Sequence, residues 1–253
     1  MAQEIFLDPP MPDIIEQWKF YLQQLDLQPG DKVLDVGCNR GETEFFLVNL
    51  YPYIGKVTGI DINPEALERA NQVLAEEYSS QKITFEQGNA LDLKYENNTF
   101  DKIICLETLE WISEPLAAVK EIYRVLKPSG TALIGHTDFE SQLFATKNLT
   151  RTRKIKDKFC DLGPDGIIGR KLNGMCKQVD FSEVETEVYT LTNEQFAPNY
   201  YSYRVAHMMK DWLSGKDVVA EEELTEWLEE LKELSEAGEF FYSINRYLSI
   251  CCK

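Results

Sequence analysis

"VLDVGCNRGETE", residues 33–44, starts as an apolar run and passes straight into a turn carrying Gly37 and Gly41. A short apolar strand, a glycine turn and a helix start together form the generic nucleotide cradle of α/β proteins. The hydride-transfer fingerprint G-x-G-x-x-G needs glycine at 37, 39 and 42, and this chain offers Gly37, Asn39 and Glu42. Glu42 and Glu44 also put two carboxylates on the first helical turn, where the helix dipole would otherwise hold a pyrophosphate. The turn therefore suits a ligand with adenosine but no phosphate. Asn tolerates left-handed backbone angles better than other non-glycine residues, so the turn survives Asn39.

Outward from this turn, strand-like apolar runs alternate with helical patterns: "KVLDVG", a helix to about 50, "KVTGID", a helix over 64–78, "KITFEQG", "FDKIICLE", a helix over 114–126 and "GTALIG". Such alternation needs crossover helices and a parallel sheet. Upstream, Ile14, Ile15, Trp18, Tyr21, Leu22 and Leu25 lie at helical spacing over 12–27, and "QPGD" at 28–31 stops that helix. Beyond His136 the pattern reads as a longer helical stretch through about 160. A turn, "DLGPDG" at 161–166, and a short helix near 167–178 come next. "EVETEVYTL" (183–191) returns to a strand, helices follow over about 198–213 and 220–235, and "EFFYSINRYLSICC" closes the chain as a last strand.

The 253 residues, 43% hydrophobic, can bury one full core. A formal charge of −17 repels nucleic-acid backbones and anionic membranes, and no run of 18 apolar residues occurs, so the expectation is a soluble, cytoplasmic protein with neither as partner. Cysteines at 38, 105, 160, 176, 251 and 252 form no C-x-x-C pair, and neither His136 nor His207 lies at zinc spacing from one, so no metal is expected. Nine glutamates between 221 and 239 read as the solvated face of a helix whose apolar stripe is Leu224, Trp227, Leu228, Leu231 and Leu234. The basic run Arg151, Arg153, Lys154, Lys156 and Lys158 likewise reads as a solvated helix.

The motifs carry a resemblance. "VLDVGCNRG" resembles the first motif of class I S-adenosylmethionine-dependent methyltransferases, an acidic residue followed by alternating glycines, here Asp35, Gly37 and Gly41 with a departure at Asn39. Asp61 closes the second strand 26 residues after Asp35, where an acidic residue accepts ribose hydroxyl protons. "GNALDLKYENNTFD" (88–101), "CLETLEWI" (105–112) and "EIYRVLKPSGTALI" (121–134) resemble the family's later segments in order, with Asn89 where an acidic residue commonly meets the adenine amino group. The nearest branch is the small-molecule, ubiquinone-biosynthesis-like group. The resemblance implies a Rossmann-like seven-stranded sheet, mostly parallel with an antiparallel last strand, helices on both faces and a helical cap. It implies one methyltransferase domain over 1–253: an N-terminal helical segment 1–30, a cofactor core 31–135, cap insertions 137–180 and 192–238, and last strands 183–191 and 240–252.

The cofactor implied is S-adenosylmethionine, with Asp35, Gly37, Asn39, Gly41, Asp61, Ile62, Asn89, Ala90, Leu91 and Leu106 as its binding residues. Methyl transfer from a sulfonium is an in-line displacement that needs positioning and a deprotonated acceptor, and no metal. His136 and Glu107 at strand ends, with His207, are the candidate catalytic groups. An imidazole suits a base for a phenol or carboxyl acceptor, while a merely hydrogen-bonded histidine is the competing reading. Trp111, Tyr200, Tyr203 and His207 are the candidate acceptor contacts, the last three sharing a helical face that either lines a pocket or packs into the core.

The expected activity is methylation of the N or O atom of a small molecule, as in tailoring of a secondary metabolite. Alternatives are C-methylation of a quinone-like precursor, a macromolecular methyltransferase and a non-catalytic cofactor-binding partner. "DPPM" at 8–11 superficially resembles the D-P-P-Y motif of nucleic-acid methylases, but Met11 offers no aromatic face to stack on a base. Oligomeric state and the acceptor's identity are not legible at this level.

Overall fold

The computed structural model describes residues 11–77, 82–162 and 165–253. Asp8–Pro10 of the "DPPM" stretch and Gly163 and Pro164 of the turn "DLGPDG" lie outside these residues. The chain divides into two compact units. The first comprises residues 18–136, 170–187 and 247–253, and the second the residues up to Gln17 together with 137–169 and 188–246.

The sheet has seven strands: β1 (Val33–Val36), β2 (Val57–Asp61), β3 (Ile83–Gln87), β4 (Phe100–Leu106), β5 (Leu126–Phe144), β6 (Glu183–Asn193) and β7 (Tyr242–Cys252). Their order is β3-β2-β1-β4-β5-β7-β6, and all seven contribute residues to the first unit. β1 pairs in parallel with β2 and β4, β2 with β3, and β4 with β5. β7 runs antiparallel beside β5, as the exchange of Ser129 N–H to Lys253 O and Lys253 N–H to Gly130 O requires. Strands covered on both faces must be apolar throughout, and every residue of β1 is buried.

The crossovers are helices with readable boundaries. α1 (Pro12–Gln23) precedes β1, and α2 (Glu42–Leu50) starts directly after Gly41, whose φ of +83° only glycine adopts without strain. α3 (Pro64–Glu77) opens on proline, with the Asn63 side chain accepting Glu65 N–H at 3.0 Å as an N-cap. α4 (Pro115–Val125) also opens on proline and buries Ala118, Val119, Ile122 and Val125 on one stripe. α6 (Gly169–Lys177) begins at the unit boundary.

The second unit holds α5 (Leu149–Leu162), α7 (Tyr201–Leu213) and α8 (Glu221–Glu236), which pack on one another, together with the outer lengths of β5, β6 and β7. Trp227 and Phe144 meet edge-on at 5.2 Å, and Phe144 lies 4.6 Å from Tyr242.

Three expectations are corrected here. β5 does not end at His136; it continues to Phe144, so 137–144 is strand rather than the start of a helix. The basic helix is not simply solvated. Arg151 binds Glu226 and Glu230, and Lys154 binds Glu223. Nor is the acidic run of α8 wholly a solvated face, because Glu230 is buried and also accepts from the hydroxyl of Thr146 and the N–H groups of Lys147 and Asn148.

Candidate active site

The strand order reverses between β1 and β4, and in such sheets the crevice for a ligand opens beyond the carboxyl ends of the strands at that switch point. A cavity of about 710 Å³ lies there, entirely within the first unit. Its wall takes Gly37 and Asn39 from the turn after β1, Asp61, Ile62 and Asn63 from the end of β2, and Gly88–Leu91 from the loop after β3. Glu107, Thr108 and Trp111 join it from the segment after β4.

The first turn is shaped by close approach. Gly37 has φ +85°, and a Cβ there would fall 2.1 Å from the Thr108 hydroxyl oxygen. That hydroxyl is fixed by donating toward the carbonyls of Val36 and Leu106, at 3.2 and 3.0 Å. Asn39 adopts φ +49°, the left-handed conformation that the sequence requires of it. Its N–H donates to one oxygen of Asp61 at 2.9 Å, while the other oxygen of the same carboxylate accepts Asn63 N–H at 2.8 Å. Asp61 thus ties the turn after β1 to the turn after β2, and each of its oxygens retains a further acceptor site for a ribose hydroxyl.

The loop after β3 is held from below by α4. Arg124 donates to the carbonyls of Leu93 and Tyr95, both at 2.8 Å, and Glu121 accepts Leu93 N–H at 2.9 Å. Asn89 uses its side-chain oxygen to accept Leu91 N–H at 2.9 Å, which presents Ala90 and Leu91 to the cavity. That oxygen therefore shapes the loop, and its second lone pair can still accept from an adenine amino group. Ile62 is 68% exposed and Trp111 64% exposed. Two large apolar side chains left in water on one cavity wall mark surfaces that a ligand covers.

Beyond β4, a single turn of 3-10 helix (Leu109–Trp111) sets Glu107, Glu110 and His136 together. The His136 Nε2 lies 3.0 Å from a Glu110 oxygen and 3.9 Å from one of Glu107. His136 and Glu110 are buried, whereas Glu107 lines the cavity with φ +53°. Burial holds the Glu110 carboxyl above its usual range, against the pull of His136. Glu107 is thus the member of the set that lines the cavity, with the Glu110–His136 pair behind it. His136 does not itself reach the cavity wall, contrary to the expectation that it faces the methyl donor. The three residues also bring ligand-type atoms within 4.8 Å of one another, a spacing that the expectation of no metal did not anticipate.

Of the ten expected cofactor residues, seven line the cavity: Gly37, Asn39, Asp61, Ile62, Asn89, Ala90 and Leu91. Asp35, Gly41 and Leu106 do not. Asp35 is buried beneath the turn, Gly41 packs against Phe85, and Leu106 lends its carbonyl to Thr108. Of the acceptor candidates, Trp111 is on the wall. Tyr203 and His207 instead line a separate, open cavity of about 650 Å³ on α7 within the second unit, their rings 4.0 Å apart, with His207 Nδ1 2.8 Å from the Tyr203 carbonyl. Tyr200 is the residue before α7 and does not line it. Thr108 and Asn63 were missed by sequence reasoning, whereas Glu110, like Glu107, was a strand-end carboxylate that could attract a cationic amine. Thr108 and Glu110 sit inside "CLETLEWI", and Asn63 precedes a helix-opening proline, a capping signal that went unused.

Residues 27–195 match the family model of the methyltransferase domain. The chain is similar to demethylmenaquinone methyltransferase of Symbiobacterium thermophilum, with 36% identity over 120 residues, 46% of each chain. It is also similar to 27-O-demethylrifamycin SV methyltransferase of Amycolatopsis mediterranei, 32% identical over 111 residues, 44% of this chain and 40% of that one. The matched segments thus span less than half the length of these relatives. Among solved structures, phosphoethanolamine N-methyltransferase 2 of Haemonchus contortus, in complex with phosphomonomethylethanolamine and S-adenosylhomocysteine, superposes with a TM-score of 0.62 at 17% identity, covering 100% of this chain and 57% of that one.

Proposed function

The chain belongs to the methyltransferase-domain family, and on that premise we propose that it uses S-adenosylmethionine to methylate an N or O atom of a small-molecule acceptor seated against Trp111. The observation that carries the proposal is the wall on which the exposed indole of Trp111 stands beside the Glu107 carboxylate, with the buried Glu110–His136 pair behind it. An exposed ring next to a proton acceptor suits a planar, weakly acidic acceptor such as a phenol, or an amine drawn by the carboxylate.

The residues present fit the cofactor. Gly37 lines the cavity with no side chain and lets Thr108 close in behind it, Asp61 offers acceptor sites for ribose hydroxyls, and Ile62 and Leu91 supply apolar cover for an adenine. When bound, the cofactor supplies an electrophilic methyl group on a sulfonium. The walls of the cavity hold the acceptor in line with it and exclude water. Glu107 takes the acceptor's proton as the new bond forms, with His136 Nε2 3.9 Å behind it and held by Glu110 at 3.0 Å. A tailoring role in secondary metabolism is supported by the likeness to the rifamycin enzyme. The likeness to the demethylmenaquinone enzyme favours a second reading, C-methylation of a quinone-like ring, in which the proton leaves a ring carbon instead.

Incubation with methyl-labelled cofactor and a panel of phenols, amines and naphthohydroquinones, with the label located by NMR, tests both. Label on oxygen or nitrogen is expected, and label on ring carbon alone would replace the first reading with the second. Glu107→Gln should lower kcat at least tenfold while cofactor affinity holds.

A further inference from the structure

Glu44 sits on the first turn of α2 and is fully buried, and among the described residues no other residue donates a hydrogen bond to its carboxylate, which has only its own backbone N–H nearby. Its place is made by a glycine. At Gly59, directly across the ladder from Asp35, a Cβ would fall 2.1 Å from a Glu44 oxygen and 2.9 Å from Cys38. The Glu44 carboxyl therefore lies against β2 beside Asp35, beneath the turn whose upper surface lines the cofactor cavity. An ionised carboxylate left unpaired in so dry a place costs several kcal/mol, and two adjacent ones cost more.

The titratable groups around the pair are Glu42 on α2, Cys38 in the turn, Asp61 at the end of β2 and Cys105 on β4. None of these brings a positive charge. Asp35 itself receives a hydrogen bond from Thr43. Burial, with the neighbouring carboxylates, pushes the Asp35 carboxyl up to about 7 and holds Glu44 well above its ordinary value.

We propose that Glu44 is a positioning residue that stays protonated beneath the cofactor turn, so that the Asp35–Glu44 pair carries at most one negative charge and gives up a proton when the cationic cofactor binds above it. The cofactor carries a sulfonium and an ammonium against a single carboxylate, so its net positive charge favours the ionised form of Asp35. The proton released passes to solvent, and no other bond changes. Affinity for the cofactor then rises with pH through the range in which the unliganded pair still holds that proton. Glu44→Gln puts a neutral group of the same shape where a neutral acid already stands, so Asp35 keeps its proton as before, whereas Asp35→Asn removes the group that gives the proton up.

Calorimetric titration of the whole chain with S-adenosylmethionine, in buffers of different ionisation enthalpy at pH 6, 7 and 8, reads the proton count directly. For the wild type, net release at pH 6–7 and several-fold weaker binding at pH 6 than at pH 8 are expected. In Glu44→Gln the release at pH 7 should stay close to that of the wild type, with affinity at pH 8 within about threefold, and in Asp35→Asn the release should vanish. Heats independent of buffer in the wild type would overturn the proposal. Release that persists unchanged in Asp35→Asn would overturn it as well, by placing the proton elsewhere, on the Glu110–His136 pair for instance, and release lost in Glu44→Gln would overturn it by making Glu44 the group that ionises. If one variant does not fold by circular dichroism, the other decides.

Discussion

Glu44 and Glu230 are both glutamates buried on helices, one in each compact unit, and they are treated in opposite ways. Glu230 meets Arg151, the hydroxyl of Thr146 and two backbone N–H groups, so although burial alone would push its carboxyl up, those bonds hold it below the usual range. Glu44 has none of these partners, and burial holds it far above. Burial does not decide the charge of a carboxyl; the donors around it do. The Glu230 site uses charge to join α5 to α8, whereas the Glu44 site tolerates an acid because its function is served by a neutral one.

The sharpest way to break this contrast is Glu230→Ala, which leaves half-buried Arg151 with only the exposed Glu226, takes the acceptor from Thr146 and two backbone N–H groups, and should cost about 3 kcal/mol in denaturant unfolding. A cost below 1 kcal/mol would make the two sites alike. Next in size, Gly37→Val drives a side chain into Thr108 from a left-handed backbone, and calorimetry should show cofactor affinity falling at least a hundredfold. Retained affinity would mean that the turn over Glu44 is plastic.

The pH dependence of stability separates the sites further. A carboxyl whose folded pKa is raised contributes stability that is fully present below its unfolded value near 4 and is lost as pH rises through its folded value. For Asp35, the loss falls between about 4 and 7, at about 1 kcal/mol per pH unit. Glu44 extends the decline to higher pH. Glu44→Gln should flatten this slope in urea titrations of the cofactor-free protein. Glu230, with its folded value depressed, instead contributes stability above its unfolded value that is lost in acid. The smallest effect belongs to Lys154→Ala. This half-exposed partner of Glu223 should change stability by less than about 0.5 kcal/mol, and by less still in 0.5 M salt.

The cofactor half was legible because its signals are local. β1 is an apolar run, Gly37 and Asn39 occupy positions that need left-handed angles, and Asp61 ends the next strand. Pairings across the chain were not. Arg151 and Glu230 stand 79 residues apart, and nothing in either helix says which face the other meets. The outer length of β5 hid for a related reason. "TDFESQLF" lacks the β-branched run of a strand, and its extension draws on neighbouring strands and on the Asp138 side chain, which accepts Glu140 and Ser141 N–H groups. Glu44 was read with Glu42 as a carboxylate facing a ligand at the helix start, because a glutamate in a first helical turn ordinarily faces water; only the missing side chain of Gly59, on another strand, turns that position inward. Trp111 could be placed from its motif, while Tyr203 and His207 carried only a helical spacing, which says that they share a face and not what that face meets.

The carboxylate of Asp61 grips Asn39 with one oxygen and Asn63 with the other. The turn after β1 and the cap that launches α3 are therefore anchored on a single side chain, one on each oxygen. A ligand that settles on Asp61 tightens both at once. Loosening that rivet would release the mouth of the cavity as one piece, with the strands behind it left in place.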